Sequence, residues 1–538
     1  MISMNQSSLQ QKAIWEEVNV TLPQFDHETM CQNTVETPTW IHFGAGNIFR
    51  GFIAKLQQQL LNEGLVESGI IAAETFDYDI IDKIYLPFDS LTMNVTLNAD
   101  GTTSREIIGS IGEALKADTS DTIQMNRLKE IFSSISLQIT SFTITEKGYI
   151  LSLPNGELLQ VIKNDIKNGP DNAMHAISII TSLLFHRFQS GAYKIAMVSM
   201  DNCSHNGEKL KNAVLTIANA WLEKGFVTEE FINYLTDNTQ VSFPWSMIDK
   251  ITPRPATPIQ SALTDDEITD MTPIVTSKNT YIAAFVNAEK PQYLVIEDCF
   301  PNGRPPLEKA GVYMTDRETV NNTERMKVTT CLNPLHTAMS VFGCLLDYTL
   351  ICEEMKDVDI VKLVKTLGYT EGLPVVVNPE IINPKDFIDE VVEERLPNPF
   401  MPDDPRRIAT DTSQKVGIRF GETVKSYIEN DLDLAQLKAL PLAIAGWMRY
   451  LLAFNDNLEP IELSSDPLKE ELQSALAGIE LGNTASYNGQ LKSILCNVSI
   501  FGLDLVSCGL SDTIENYFVQ LISEKGAVRK TLHSVLNN

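Results

Sequence analysis

Two glycines and a later acid are the first residues whose types and spacing suggest chemistry. In Gly44-Ala45-Gly46-Asn47-Ile48-Phe49-Arg50 the glycines let the backbone turn tightly and approach a pyrophosphate closely. The helix expected to follow offers unpaired N–H groups and a positive dipole end to that anion. Glu74 stands where a carboxylate could take the adenosine ribose hydroxyls, which favours NAD over NADP, with Asp77 as the alternative. The third glycine of the dinucleotide fingerprint is absent, so the same residues also fit an ordinary strand-to-helix turn with a surface acid.

The elements needed to hold such a turn are legible around it. Thr39-Trp40-Ile41-His42-Phe43 is a short β-prone run that the glycines end. Ile48, Phe52, Leu56 and Leu60 recur every four residues and place one apolar stripe on a helix. Gly69-Ile70-Ile71-Ala72-Ala73 is a second strand ending in Glu74, which completes a βαβ unit. Strands are expected again at residues 137–145, 194–199 and 293–296, with helices at 173–188 and 208–224 between them, an alternation that indicates a parallel α/β sheet. Beyond about residue 305 the pattern turns helical, over 334–355, 422–430, 432–452, 467–477 and 511–524. The expected class is therefore α/β with a mainly α-helical C-terminal domain, divided as 1–305 and 306–538. The polar start of the chain, 1–38, carries one expected helix around 10–17 and no assigned chemistry.

Composition narrows the partners. A chain of 538 residues exceeds what one core supports. With 42 Lys and Arg against 70 Asp and Glu, the net charge of −28 argues against nucleic acid or an anionic membrane as partner. An anionic substrate would need a local basic pocket. The eight cysteines contain no CxxC pair and read as reduced thiols, and His and Cys show no metal-ligand spacing. No signal peptide or membrane-spanning segment is apparent; the most apolar stretch, 440–454, is short and holds Arg449. These features predict a cytoplasmic protein, a monomer or small homo-oligomer with a small-molecule substrate.

Ten segments, in order, resemble the polyol-specific long-chain dehydrogenase/reductase (mannitol dehydrogenase) family. They begin with His42-Phe43-Gly44-Ala45-Gly46-Asn47-Ile48-Phe49-Arg50, Thr143-Ile144-Thr145-Glu146-Lys147-Gly148-Tyr149 and Ser199-Met200-Asp201-Asn202-Cys203-Ser204-His205-Asn206-Gly207. Met247-Ile248-Asp249-Lys250-Ile251-Thr252-Pro253, Ile296-Glu297-Asp298, Gly303-Arg304-Pro305 and Asn333-Pro334-Leu335-His336 follow, and then Pro397-Asn398-Pro399, Asp411-Thr412-Ser413-Gln414-Lys415 and Trp447-Met448-Arg449-Tyr450. The resemblance implies an N-terminal Rossmann-type domain, a mostly helical C-terminal domain, NAD as cofactor and no metal. It implies NAD(H)-dependent interconversion of a ketouronate and an aldonate, D-fructuronate and D-mannonate, with D-tagaturonate or mannitol as alternative substrates.

The family motif carries Lys327, Asn333 and His336 into catalytic roles, with Asn202 as a further donor to the carbonyl and Glu324 and Asp249 relaying protons or orienting the lysine. Hydride transfer to a ketone builds negative charge on oxygen, which needs hydrogen-bond donors and finally a proton. The cofactor would lie on Gly44, Gly46, Asn47, Ile48, Phe49, Arg50 and Glu74, and the family's basic residues Arg407 and Lys415 would meet the far end of the substrate. Two departures stand out: five residues rather than four separate Lys327 from Asn333, and Pro334 replaces a usual glycine. They leave open a non-catalytic NAD(H)-binding sensor or scaffold. Asn333-Pro334 also fits a helix N-cap followed by a first-turn proline, and Arg407 and Lys415 also fit surface ion pairs with Asp411.

Overall fold

Six parallel strands organise the N-terminal half: β1 (Trp40–Phe43), β2 (Ile70–Glu74), β3 (Ile111–Lys116), β4 (Ile139–Phe142), β5 (Ile195–Ser199) and β6 (Val241–Ser242). Their order in the sheet is β3-β2-β1-β4-β5-β6, the doubly wound Rossmann order, with the strand order reversing between β1 and β4. The computed structural model describes residues 1–537. It falls into two compact units, Met1–Asn98 with Thr102–Asn321, and Ala99–Gly101 with the chain from Asn322 on.

Strands β1, β2, β4 and β5 are buried along their whole length, because a parallel sheet is covered on both faces and its strands read as continuous apolar runs. Alternate residues feed two separate cores. Ile41, Phe43, Ile71, Ala73, Phe142 and Met197 face one. Trp40, Ile70, Ala72, Ile139, Ala196 and Val198 face the other. The glycine turn leads into a π-helical turn, Phe49–Ile53, and then α1 (Ala54–Asn62); Phe52 of the turn and Leu56 and Leu60 of the helix join the second core. Helix α2 (Asn206–Glu223) buries Leu210, Val214, Ile217 and Trp221 in the first. A second sheet, antiparallel in its central pair, joins residues 20–21, 103–108, 92–97 and 285–289 in that order.

Two expectations are corrected here. The run at 293–296 does form a strand, Tyr293–Glu297, but it pairs antiparallel with Ser246–Asp249 in a separate three-stranded sheet and is no part of the parallel one. The expected long helices also break. Helix α3 (Asn333–Leu345) ends before Asp347, whose φ of +62° is left-handed, and a short helix resumes at Ile351–Glu354. The stretch 432–452 resolves into a 3-10 turn, Leu434–Gln436, and α4 (Ala439–Tyr450).

The C-terminal unit is built around α3 and α4, both buried on nearly every side, as central helices of a bundle are. They touch closely at Gly446, where a Cβ would lie 2.8 Å from the Phe342 ring. The start of α4 is fixed by Glu371, whose carboxylate accepts from the N–H groups of Lys438, Ala439 and Leu440 at 2.6, 2.7 and 2.8 Å, an acid at the positive end of a helix. Helix α3 meets a different acid. Glu354 is fully buried against Gly343, and neither of its carboxylate oxygens has a hydrogen-bond partner.

Burial, with Asp357 and Asp404 nearby, holds the Glu354 carboxyl well above the usual carboxylate range. A folded pKa above the unfolded one gives stability that is lost as pH rises from the unfolded value towards the folded one. Glu354→Gln removes that dependence. As pH rises above the unfolded carboxylate value, the wild type should lose up to about 1.4 kcal/mol per pH unit relative to the variant. Parallel denaturant titrations of the two proteins check this; curves that stay parallel across that range would show that Glu354 titrates normally.

Candidate active site

At the reversal point of the parallel sheet, the glycine turn is shaped by contacts that exclude other residues. Gly44 has φ +105°, and a Cβ there would lie 2.2 Å from the carbonyl oxygen of Thr143. Gly46 meets nothing within 4 Å of the corresponding position, so the space beside the turn is open to a ligand's phosphates. Gly46, Asn47 and Ile48 form the partly exposed edge. Phe49 and Arg50 are fully buried: Phe49 stacks on His42 with ring centroids 4.3 Å apart, while Arg50 donates to the Ala283 carbonyl and the Asn47 side chain at 2.9 and 3.0 Å. Their side chains pack behind the turn.

Glu74 lies at the end of β2 and reaches back to this turn. One carboxylate oxygen accepts from the Ala45 N–H at 2.9 Å, and the other from the N–H groups of Thr75, Phe76 and Asp77 at 2.9, 2.9 and 3.4 Å. It thus clamps the turn to the adjacent strand. Asp77 is buried and accepts from the Thr276 hydroxyl at 2.6 Å. His42 links β1 to β4 through Ser141 and Thr143 at 2.6 and 2.8 Å, and burial lowers its pKa to about 3, so the imidazole is a neutral structural link.

Beyond the C-terminal ends of β1, β4 and β5 lies a cavity of about 280 Å³, lined by Ile48, Thr143, Thr145, Glu146, Asn202 and Lys250 among others. Ligands of doubly wound sheets bind at this place. Asn202 is exposed on the loop after β5, and Asp249 is buried on the strand Ser246–Asp249 between two cavity-lining residues. The loops are held from beneath. Asp201 accepts from the Ile144 and Thr145 N–H groups at 3.0 and 2.8 Å and from the Tyr149 hydroxyl at 2.6 Å. Those bonds stabilise Thr145 at φ +63°, a conformation that costs a non-glycine residue about 1–3 kcal/mol. Asn206 ties the β5 loop to Ser246 with two bonds of 3.0 Å. Sequence reasoning quoted Asp201, Tyr149 and Asn206 within motifs but gave them no role.

The C-terminal unit carries the remaining candidates. Helix Arg317–Met326, which bears Glu324, runs into a π-helical turn, Lys327–Cys331, closed by the Leu332 N–H donating to the Lys327 carbonyl at 3.1 Å. A π turn is how a helix absorbs one extra residue, so the five-residue spacing after Lys327 is accommodated inside the helix. The Lys327 side chain is buried, at 3% exposure. Helix α3 then starts with Asn333 already in its first turn and Leu332 as the cap residue, without a side-chain cap. The expected capping role of Asn333 is therefore not realised, and its side chain is left free of that duty. Asn333 and His336 share one face of α3. The His336 Nε2 is sealed from solvent and makes no hydrogen bond. Burial lowers the His336 pKa to about 4; Asp403 opposes that shift, and Arg419, Arg407 and Arg395 add to it. The imidazole is neutral at physiological pH.

The two cations expected at the substrate's far end are otherwise engaged. Arg407 is exposed over 64% of its side chain and pairs with Asp403. The Lys415 ammonium donates to the carbonyls of Thr410 and, at 3.5 Å, Ile408, which fixes its own loop. Neither pairs with Asp411. The cations added to the His336 surroundings by the fold, Arg395 and Arg419, carried no motif that sequence reading could seize. Among the described residues no cluster of His, Cys, Asp and Glu is arranged to hold a metal ion, and no helix is long and apolar enough to cross a membrane.

Comparison with known proteins bears on both units. Residues 38–309 match the model of the mannitol dehydrogenase Rossmann domain, and residues 319–521 that of the mannitol dehydrogenase C-terminal domain. The chain is 50% identical to a D-mannonate oxidoreductase of Thermotoga maritima over 536 residues, covering 99% of each. It is 28% identical to the D-mannonate oxidoreductase of Escherichia coli, over 90% of this chain and 92% of that one. Among solved structures it resembles a substrate-free D-sorbitol dehydrogenase, with TM-score 0.78 and 25% identity over 95% of this chain and 97% of that one. A mannitol 2-dehydrogenase of Pseudomonas fluorescens, in a ternary complex with NAD and D-mannitol, matches with TM-score 0.69 and 25% identity over the whole of both chains.

Proposed function

From the premise that this chain belongs to the mannitol dehydrogenase family of oxidoreductases, we propose that it interconverts D-fructuronate and D-mannonate with NAD(H). The observation that carries this reading is the pair Asn333 and His336, two helix-face side chains without cap or sealed-nitrogen partners, in the helix that follows the buried Lys327 turn. Support for the substrate comes from the two D-mannonate oxidoreductases, one matched at half identity over nearly full length.

In this reading Gly44, Gly46, Asn47 and Ile48 receive the pyrophosphate, with Phe49 and Arg50 packed behind them and Glu74 fixing the turn on the ribose side. The bound nicotinamide supplies the hydride. Lys327 donates the proton that the reduced oxygen needs and withdraws it in the oxidising direction. Asn333, neutral His336 and Asn202 donate hydrogen bonds to the oxygen as charge develops, and Glu324 and Asp249 orient Lys327 or pass its proton to solvent. The one-residue excess that favoured a non-catalytic sensor is taken up by the π turn and no longer supports that reading.

The test is NADH oxidation at neutral pH with D-fructuronate, D-tagaturonate and D-fructose in parallel. D-Fructuronate should be the preferred substrate. Preference for D-fructose would move the protein to the mannitol branch, and silence with all three would overturn the assignment.

A further inference from the structure

Two fully buried arginines, Arg187 and Arg449, have every guanidinium nitrogen hydrogen-bonded to backbone carbonyls, Arg50 leaves only its Nε without a partner, and Arg419 is less engaged than any of them. Arg187 makes five hydrogen bonds to backbone carbonyls, of Phe132, Ser134, Leu137, Tyr193 and Lys194, at 2.6–3.0 Å. Arg449 makes three, to Leu521, Phe454 and Asn455. Arg419, on the π-helical turn Gly417–Gly421, is partly buried, and its guanidinium has a single partner, the neutral hydroxyl of Thr337 at 2.5 Å. Among the described residues no carboxylate lies within ion-pair distance of it, on a chain with 70 acids. Its other N–H groups are not sealed inside the protein. A guanidinium has five donors in a planar fork suited to a carboxylate. Removing it from water without an anion is costly. Thr337 follows His336 on α3, and the charge of Arg419 is felt at His336, whose Nε2 is sealed and unpartnered.

We propose that Arg419 is the residue that binds the substrate's carboxylate, with Thr337 holding the guanidinium in place and His336 at the neighbouring reacting oxygen. This rests on the sugar-acid reading above and moves the carboxylate away from Arg407, whose charge is already spent on Asp403. The ligand class is a sugar acid whose carboxylate and oxidisable carbon sit on the same short chain. A neutral polyol would leave the fork empty.

Calorimetric Kd values for D-mannonate and D-mannitol, each with saturating NAD, should be measured on the wild type, Arg419→Gln, Arg419→Lys and Arg407→Gln. Truncating one member of a buried charged pair typically costs at least about 2 kcal/mol, so Arg419→Gln should weaken D-mannonate about 30-fold or more relative to D-mannitol. Arg419→Lys should recover part of that loss, and Arg407→Gln should cost far less. Should the glutamine variant misfold, the lysine variant still reads the selectivity ratio. An unchanged D-mannonate to D-mannitol ratio in Arg419→Gln and Arg419→Lys overturns the proposal. Wild-type turnover of D-fructuronate separates the two claims: turnover with an unchanged ratio leaves the function standing and removes Arg419, whereas a collapsed ratio without turnover keeps the carboxylate site and removes the substrate.

Discussion

Lys327→Ala lowers kcat for D-fructuronate reduction by about a thousandfold, within the range of 10²–10⁴ that a positioned general acid contributes, and leaves NADH binding within a factor of a few. The lysine is buried at the first position of the π turn that leads into the helix bearing Asn333 and His336. The check is steady-state kinetics beside a fluorescence titration with NADH. Lys327→Met keeps the length of the buried stem and guards against a packing artefact. A small external amine should restore part of the rate in Lys327→Ala but none in Lys327→Met, where the space is filled. Either variant retaining more than about a tenth of wild-type kcat would remove Lys327 from the chemistry.

The second large effect belongs to the glycine turn. Gly44→Ala places a methyl 2.2 Å from the Thr143 carbonyl oxygen and 2.7 Å from its carbon, on a residue with φ +105°. Neither contact can relax cheaply, since both atoms belong to the backbone of the loop that leaves β4. The expected cost is at least about 3 kcal/mol of stability, with NADH affinity lost even in whatever fraction folds. Gly46→Ala is the contrast. Nothing lies within 4 Å of the added carbon, so the fold should tolerate it, while the methyl occupies the space a pyrophosphate would need. Equal thermal midpoints for Gly46→Ala and wild type, with NADH binding weakened in the variant, would separate the two roles. Unchanged NADH binding in Gly46→Ala would show that the phosphates do not approach there.

The βαβ unit around the glycines was readable because its strands are short apolar runs ended by turn residues, and its helix repeats every four residues. β3 was not. Its sequence Ile111-Gly112-Glu113-Ala114-Leu115-Lys116 is an edge strand, half-exposed, and Glu113 is spent on Arg127. β6 has only two residues, too few to leave a period. The run at 293–296 shows the limit of periodicity, which reports that a strand forms but not which sheet receives it. In the catalytic segment the residue types were legible and the geometry was not. A spacing of five in place of four reads as a lost register, and only the backbone shows it taken up by a π turn. The cations around His336 divide along the same line: Arg407 and Lys415 carried the motif, whereas Arg419 is set apart by the partners it lacks, which no single sequence reveals.

The four-stranded sheet has a consequence for how the chain comes into being. Its strands come from residues 20–21, 92–97, 103–108 and 285–289, and the last pairs in parallel with Met93 through Leu97. During synthesis the parallel strands through Val241–Ser242 can therefore collapse while one edge of Thr92–Leu97 still waits, unpaired, for a segment almost 200 residues further on. Exposed edges of this kind invite pairing with other chains, and parallel sheets with distant partners fold slowly. Nascent chains stalled short of Phe285 should be the aggregation-prone species, and the ribosome's passage through 285–289 the step after which the N-terminal unit becomes protease-resistant.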